Sequence, residues 1–166
     1  MGSRTHLDMR EMLDIIDSQF RSVHERTKEI IALVPDEFLY TQPRELDRTY
    51  AIFSCGEYVI RSAAAVEQCF GGLTTRLWDD PFEWTLREAL ATKELIAGYL
   101  DEVEATRTSA MAFFTSDEDL LKTLPAPEKI VPVLELLLNT LRRAEHYQGR
   151  AAAIIQFFSD EKLPRI

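Results

Sequence analysis

Apolar residues recur at three- and four-residue spacing along four long stretches of the chain, the pattern of amphipathic helices that turn one face to a common core. The first stretch carries Met9, Leu13, Ile16, Phe20, Val23, Thr27 and Ile30 behind an Asp8/Glu11 pair at capping spacing, and it ends near Val34-Pro35. The second opens on Ser54-Cys55-Gly56-Glu57, a capping box. Its stripe is Cys55, Val59, Ser62, Val66 and Cys69, and Gly71-Gly72 predicts a stop after Phe70. The third is predicted from Thr85-Leu86-Arg87-Glu88, with Leu86, Leu90, Ile96, Leu100, Val103 and Ala110 inward and an end near Phe114. The fourth runs from about Lys129 to Phe158, with Pro132 confined to the first turn.

Residues 35–53 mix Pro35, Pro43, charges and aromatics without a sustained period, so they predict a long connection with room for a short helical turn. Trp78, Phe82 and Trp84 cluster before the third helix, where such rings cap the end of a core or meet a ligand. No alternating strand segment, internal repeat or low-complexity tract interrupts the series. The expectation is an all-α, single-domain four-helix bundle over residues 1–166, with a long connection between helices one and two. Residues 1–7 fall outside the pattern and read as a disordered or vector-derived tail.

Composition sharpens this picture. A chain of 166 residues that is 46% hydrophobic has enough apolar material for one substantial core. Twenty-eight acidic against nineteen basic residues give a formal charge of −9, which repels phosphate backbones and anionic headgroups. Nucleic acid and membrane surfaces are therefore not expected as partners. With no apolar run of about 18 residues and no apolar leader, the expected location is the cytoplasm. Cys55 and Cys69 lie on one predicted helix, about 21 Å apart at helical rise, so they cannot bridge each other. They read as small core residues in a reducing compartment.

The stretch Arg142–Phe158, RRAEHYQGRAAAIIQFF, places Gly149 inside a helix. Glycine costs about 1 kcal/mol there against alanine, and its usual return is the close approach of another backbone or a ligand. The expectation is therefore that Gly149 is a close-packing position. Together with Ser54–Arg61 at the start of helix two and the Leu100–Leu120 stretch, this segment resembles the DinB/YfiT-like four-helix bundles. That family's typical pattern in the last helix is His-x-x-x-His-Arg-Gly-Gln. The resemblance implies a metal-dependent hydrolase or thiol transferase, with one histidine from helix two and two from helix four on a divalent ion such as zinc or nickel.

Laid on Gly149, the pattern puts those metal positions at Arg61, Arg143 and Tyr147. A guanidinium stays protonated and offers no lone pair to a metal. The resemblance thus implies a member without its metal and with no other cofactor. In it Arg61, Arg143, Tyr147 and Arg150 form a cationic pocket, with Glu57 one turn before Arg61 as the internal carboxylate. Two versions stay open, a structural Arg/Glu/Tyr network or a site for a small anionic ligand. The alternative is a hydrolase or S-transferase whose metal site has shifted to His146, the candidate catalytic residue, assisted by Glu145 or Glu57. His24 reads as a boundary residue. Excess apolar positions on helix four, Val133, Leu136, Thr140, Arg143 and Tyr147 with Ile154 and Phe158, predict a homodimer.

Overall fold

The computed structural model describes residues 9–43, 52–80 and 88–165. Within them lie four long helices, α1 (Glu11–Leu33), α2 (Cys55–Thr75), α3 (Lys93–Met111) and α4 (Val133–Ile155). Short 3-10 turns cover Asp36–Phe38 and Asp117–Leu121, and a hairpin of β1 (Thr123–Pro125) and β2 (Ile130–Pro132) precedes α4. The chain is an all-α four-helix bundle, and among the described residues this small hairpin is its only sheet. The calls on Asp8, the tail, Phe82 and Trp84 lie outside the described residues.

The connections fix the direction of every helix. Gly56 donates its N–H to the Leu39 carbonyl at 2.8 Å, and Lys93 Nζ donates to the Val34 carbonyl at 3.1 Å, so α2 and α3 both start where α1 ends. At the opposite end the Asp117 N–H bonds the Met9 carbonyl, and the Val133 N–H bonds the Lys122 carbonyl just beyond the same turn. α1 and α4 therefore start together and run parallel, while α2 and α3 run the other way. This is an up-down-down-up order rather than a simple meander.

The inward faces meet as the periodicity requires. All five residues of the α2 stripe are buried, as are Leu13, Phe20, Ile30, Ile96, Leu100, Leu137 and Ile155. Phe20 and Phe70 meet edge to face at 5.0 Å, the arrangement ring quadrupoles prefer. Among the buried polar side chains, two tie α1 to other helices. Gln148 on α4 donates through Nε2 to the Val23 carbonyl and to Thr27 Oγ1 on α1, at 2.9 and 2.8 Å. Arg107 on α3, only 2% exposed, bonds Asp17 of α1 at 2.5 Å and Glu104 at 2.7 and 2.8 Å. Burial alone lowers the pKa of the Arg107 guanidinium, yet these two carboxylates more than offset it and the net direction is upward.

Several boundaries differ from the sequence reading. α2 continues through Gly71-Gly72 and stops at Arg76, which takes the left-handed conformation (φ 60°, ψ 13°). Gly72 is there because the Trp78 indole lies on it, since a Cβ at that position would sit 2.2 Å from the ring. α3 begins after Thr92, whose side chain accepts the Leu95 N–H at 3.3 Å. Residues 88–90 form a turn, and Thr85 to Arg87 lie outside the described residues. α4 starts at Val133 rather than Lys129, because residues 123–132 pair as the hairpin that the periodicity did not reveal. Its strands are three residues long, too short to show an alternation.

Candidate functional site

The α2–α4 seam holds the residues singled out from the sequence. Ala64, Ala144 and Ala151 are fully buried, so little side-chain volume separates the two backbones, and Ser62 Oγ donates to the Ala144 carbonyl at 2.9 Å. The helices run antiparallel. Tyr58 consequently meets Tyr147 and Arg150, while residues farther along α2 meet earlier turns of α4.

At the α2 N-terminal end the groove carries an aromatic and cationic cluster. Tyr58 packs edge-on against Phe53 at 5.6 Å and lies near Tyr147 at 6.4 Å. The Arg61 guanidinium stacks over the Phe53 ring, 3.8 Å from its centroid, a close cation–π contact. Arg150 donates through Nε to His146 Nε2 at 2.9 Å and through Nη1 to the Tyr58 hydroxyl at 3.4 Å. The imidazole nitrogen that faces Arg150 accepts this bond.

One turn away the groove opens into a cleft of about 330 Å³. Arg143 stands exposed on its wall and donates to Gln68 Oε1 at 3.3 Å. The Trp78 indole, the Cys69 thiol and Thr140, one turn before Arg143, line it as well, together with Pro127 and Lys129 from the hairpin. Lys129 is paired with Glu135 at 2.8 Å. Burial pushes the Cys69 thiol up to about 12, although the Thr140 hydroxyl and the Arg143 charge oppose the shift, so the sulfur is a neutral wall group and not a nucleophile.

The structure thus brings Tyr147, His146 and Arg150 together around Tyr58, and it sets Arg61 and Arg143 toward different ends of the groove. Glu57 does not serve Arg61 in the way the sequence suggests. Its carboxylate accepts both the Ser54 N–H (2.8 Å) and the Ser54 hydroxyl (2.7 Å), closing the cap of α2. Glu145 belongs to another partnership, accepting from Arg26 of α1 at 3.2 Å. His24 is a boundary residue 3.5 Å from Asp101. The close-packing expectation for Gly149 is wrong, because a Cβ there would meet nothing within 4 Å. The close approaches are at Gly56, under Leu39 and Tyr40, and at Gly72, under Trp78.

Among the described residues no three of His, Cys, Asp and Glu converge on one point. Around His146 the neighbour that reaches the imidazole is Arg150, a cation. Sequence reasoning missed Phe53 and Gln68 as parts of the groove, and left Trp78 between a core cap and a ligand contact. The signal that points to Trp78 is the glycine pair six residues before it, which makes room for a large ring.

No protein-family model matches the sequence, and no curated protein does. In structure the chain is similar to the crystal structure of a DinB-like protein, YjoA, from Bacillus subtilis, with a TM-score of 0.67 and 18% identity over 91% of this chain and 96% of that one. The fold is therefore that of a DinB-like bundle.

Proposed function

We propose that this chain, built on the DinB-like fold, is a non-metal member that binds a small organic anion in the α2–α4 groove. The observation that carries this reading is the cleft beside Arg143, where an exposed guanidinium and the Trp78 indole both line a space large enough for a small ligand. A carboxylate suits the guanidinium fork, and a planar apolar body suits the indole. Arg61, Tyr147 and Arg150 continue the same groove, and Arg150 brings a second guanidinium to it, in a chain that is acidic overall. Glu57, held in the helix cap, supports this stretch of α2 instead of neutralising it.

Benzoate is a suitable probe. Saturable amide and indole shifts at Gln68, Cys69 and Trp78 are expected, weakened about tenfold in Arg143→Gln, the size of one charge-assisted contact. Equal binding by the variant, or no saturable shift in the wild type, rejects the site. The rival, a hydrolase or S-transferase with zinc or nickel at His146, is tested separately. Protein prepared without chelators should contain no stoichiometric metal, and EDTA should leave Tm unchanged. One equivalent of metal, with a chelator-induced loss of stability, would favour the rival.

The proposal extends to a cytoplasmic homodimer, supported by exposed Met12 and Ile15 on α1 and Leu138 on α4. Sedimentation at micromolar concentration should give about twice the 19.1 kDa chain mass. Among the described residues no helix is long and apolar enough to cross a membrane.

A further inference from the structure

A second cleft, of about 390 Å³, opens at the end of the bundle where α2 and α3 finish. Its volume falls among those of small-molecule sites, about 300–1,000 Å³. Leu124 of β1 lines this cleft, and its cross-strand partner Val131 of β2 lines the groove. Two cations line it, Arg76 and Lys122, together with one carboxylate, Asp119. The remaining wall is largely apolar, formed by Leu73, Phe113, Phe114 and Leu124, and Phe113 is 74% exposed at the rim.

The charges do not cancel. Asp119 accepts from Lys122 Nζ at 2.5 Å and from the Thr115 and Ser116 amides at 2.6 and 3.2 Å, so its charge is fully engaged inside the wall. Arg76 has neither a hydrogen bond nor an ion pair from its side chain to any described residue. It also occupies the left-handed position that ends α2, where glycine is the favoured residue and a side chain is strained. The position therefore presents a guanidinium to the cleft at the expense of backbone comfort.

Helix ends limit the charge the cleft can accept. α4 starts beside it at Val133 without a side-chain cap, whereas α2 and α3 end there with their negative poles. One surplus cation among opposing dipoles suits a single negative charge and disfavours a polyphosphate. We infer that this cleft binds a monoanionic amphiphile, its head group on Arg76 and Lys122 and its apolar chain against Leu73, Phe113 and Leu124. The site is separate from the groove and does not depend on the groove's ligand.

Octanoate is the probe, with octylamine as the counterpart of opposite charge. In amide shift titrations octanoate should perturb residues 73–77 and 113–124 saturably, and octylamine should bind at least tenfold more weakly. Arg76→Gly should weaken octanoate about tenfold while Tm stays equal or rises, since glycine suits the left-handed position. Arg76→Gln, which keeps the side-chain bulk, should lose affinity to a similar degree. Equal binding of octanoate and octylamine, undiminished binding by either variant, or shifts confined to the α2–α4 groove would each overturn the site.

Discussion

The carboxylate of Asp117 caps the helix that contains Leu13, 104 positions earlier in the chain. Oδ1 accepts the Leu13 N–H at 3.0 Å and Oδ2 accepts the Met12 N–H at 3.1 Å. Arg10, the local N-cap residue, makes no side-chain cap bond. The first turn of α1 is thus completed by a loop that follows α3. Asp117→Ala should destabilise the fold by about 1–2 kcal/mol, as removal of an N-cap acceptor does, measured by urea denaturation. A loss below a few tenths of a kcal/mol would show that water replaces the cap.

The glycines should separate into two classes. Gly149→Ala should stabilise by up to about 1 kcal/mol, because the new methyl enters open space and helix propensity improves. Gly72→Ala should destabilise, since its methyl would overlap Trp78, and Gly56→Ala should do so against the Leu39 carbonyl. Thermal melts of the three variants give the comparison, and the same sign for Gly149 and Gly72 would contradict it.

Much of this was legible in the chain, and the failures share a cause. The capping box Ser54-x-x-Glu57 is a local signal and formed as written. The helix Lys93–Met111 takes Thr92 as its cap, a threonine without the Glu three positions later that marks a capping box, and Ile96 and Leu100 set the buried face of its first turns. Gly71-Gly72 looked like a stop until a distant requirement, the Trp78 ring, explained the second glycine. Arg107 was overlooked because a charge seldom enters a core, and its partner on α1 is ninety positions away. In the candidate site, the family resemblance singled out Tyr147 and His146 and helical spacing added Arg150, while Phe53 and Gln68 required the tertiary arrangement.

Arg107→Met should cost about 3 kcal/mol, although the side chains are similar in length. Asp17 and Glu104 would then face one another across α1 and α3 without the shared cation. The triple variant that also converts Asp17 and Glu104 to Asn and Gln should recover part of the loss, which a urea series would reveal. No recovery would mean that packing of the arginine stem, rather than charge, holds this contact.

Stability should fall at both extremes of pH for different reasons. The Lys122 ammonium and the Thr115 and Ser116 amides hold the Asp119 carboxyl well below the usual carboxylate range. Its contribution is therefore present above the unfolded value of about 3.9 and is lost as pH falls below that value toward the folded one. Asp119→Asn should weaken the protein at neutral pH, and the difference should shrink steadily below about pH 4. At the alkaline end, burial pushes Cys55 and Cys69 up to about 12. Stability should be unaffected below the unfolded thiol value of about 8.5 and decline above it. Both thiols should also react slowly with iodoacetamide until the protein unfolds.

Because α2 and α3 point the same way, residues 76–92 must return the chain along the whole bundle before α3 can begin. The rise of α3 is about 28 Å, so even a fully extended strap needs roughly eight or nine residues. The natural segment is about twice that length. Up to about half of it is spare in reach, which sets a limit on how far a shortened variant can go. Below that limit α3 would have to reverse direction, and its Arg107 would be carried to the far end of the bundle from Asp17.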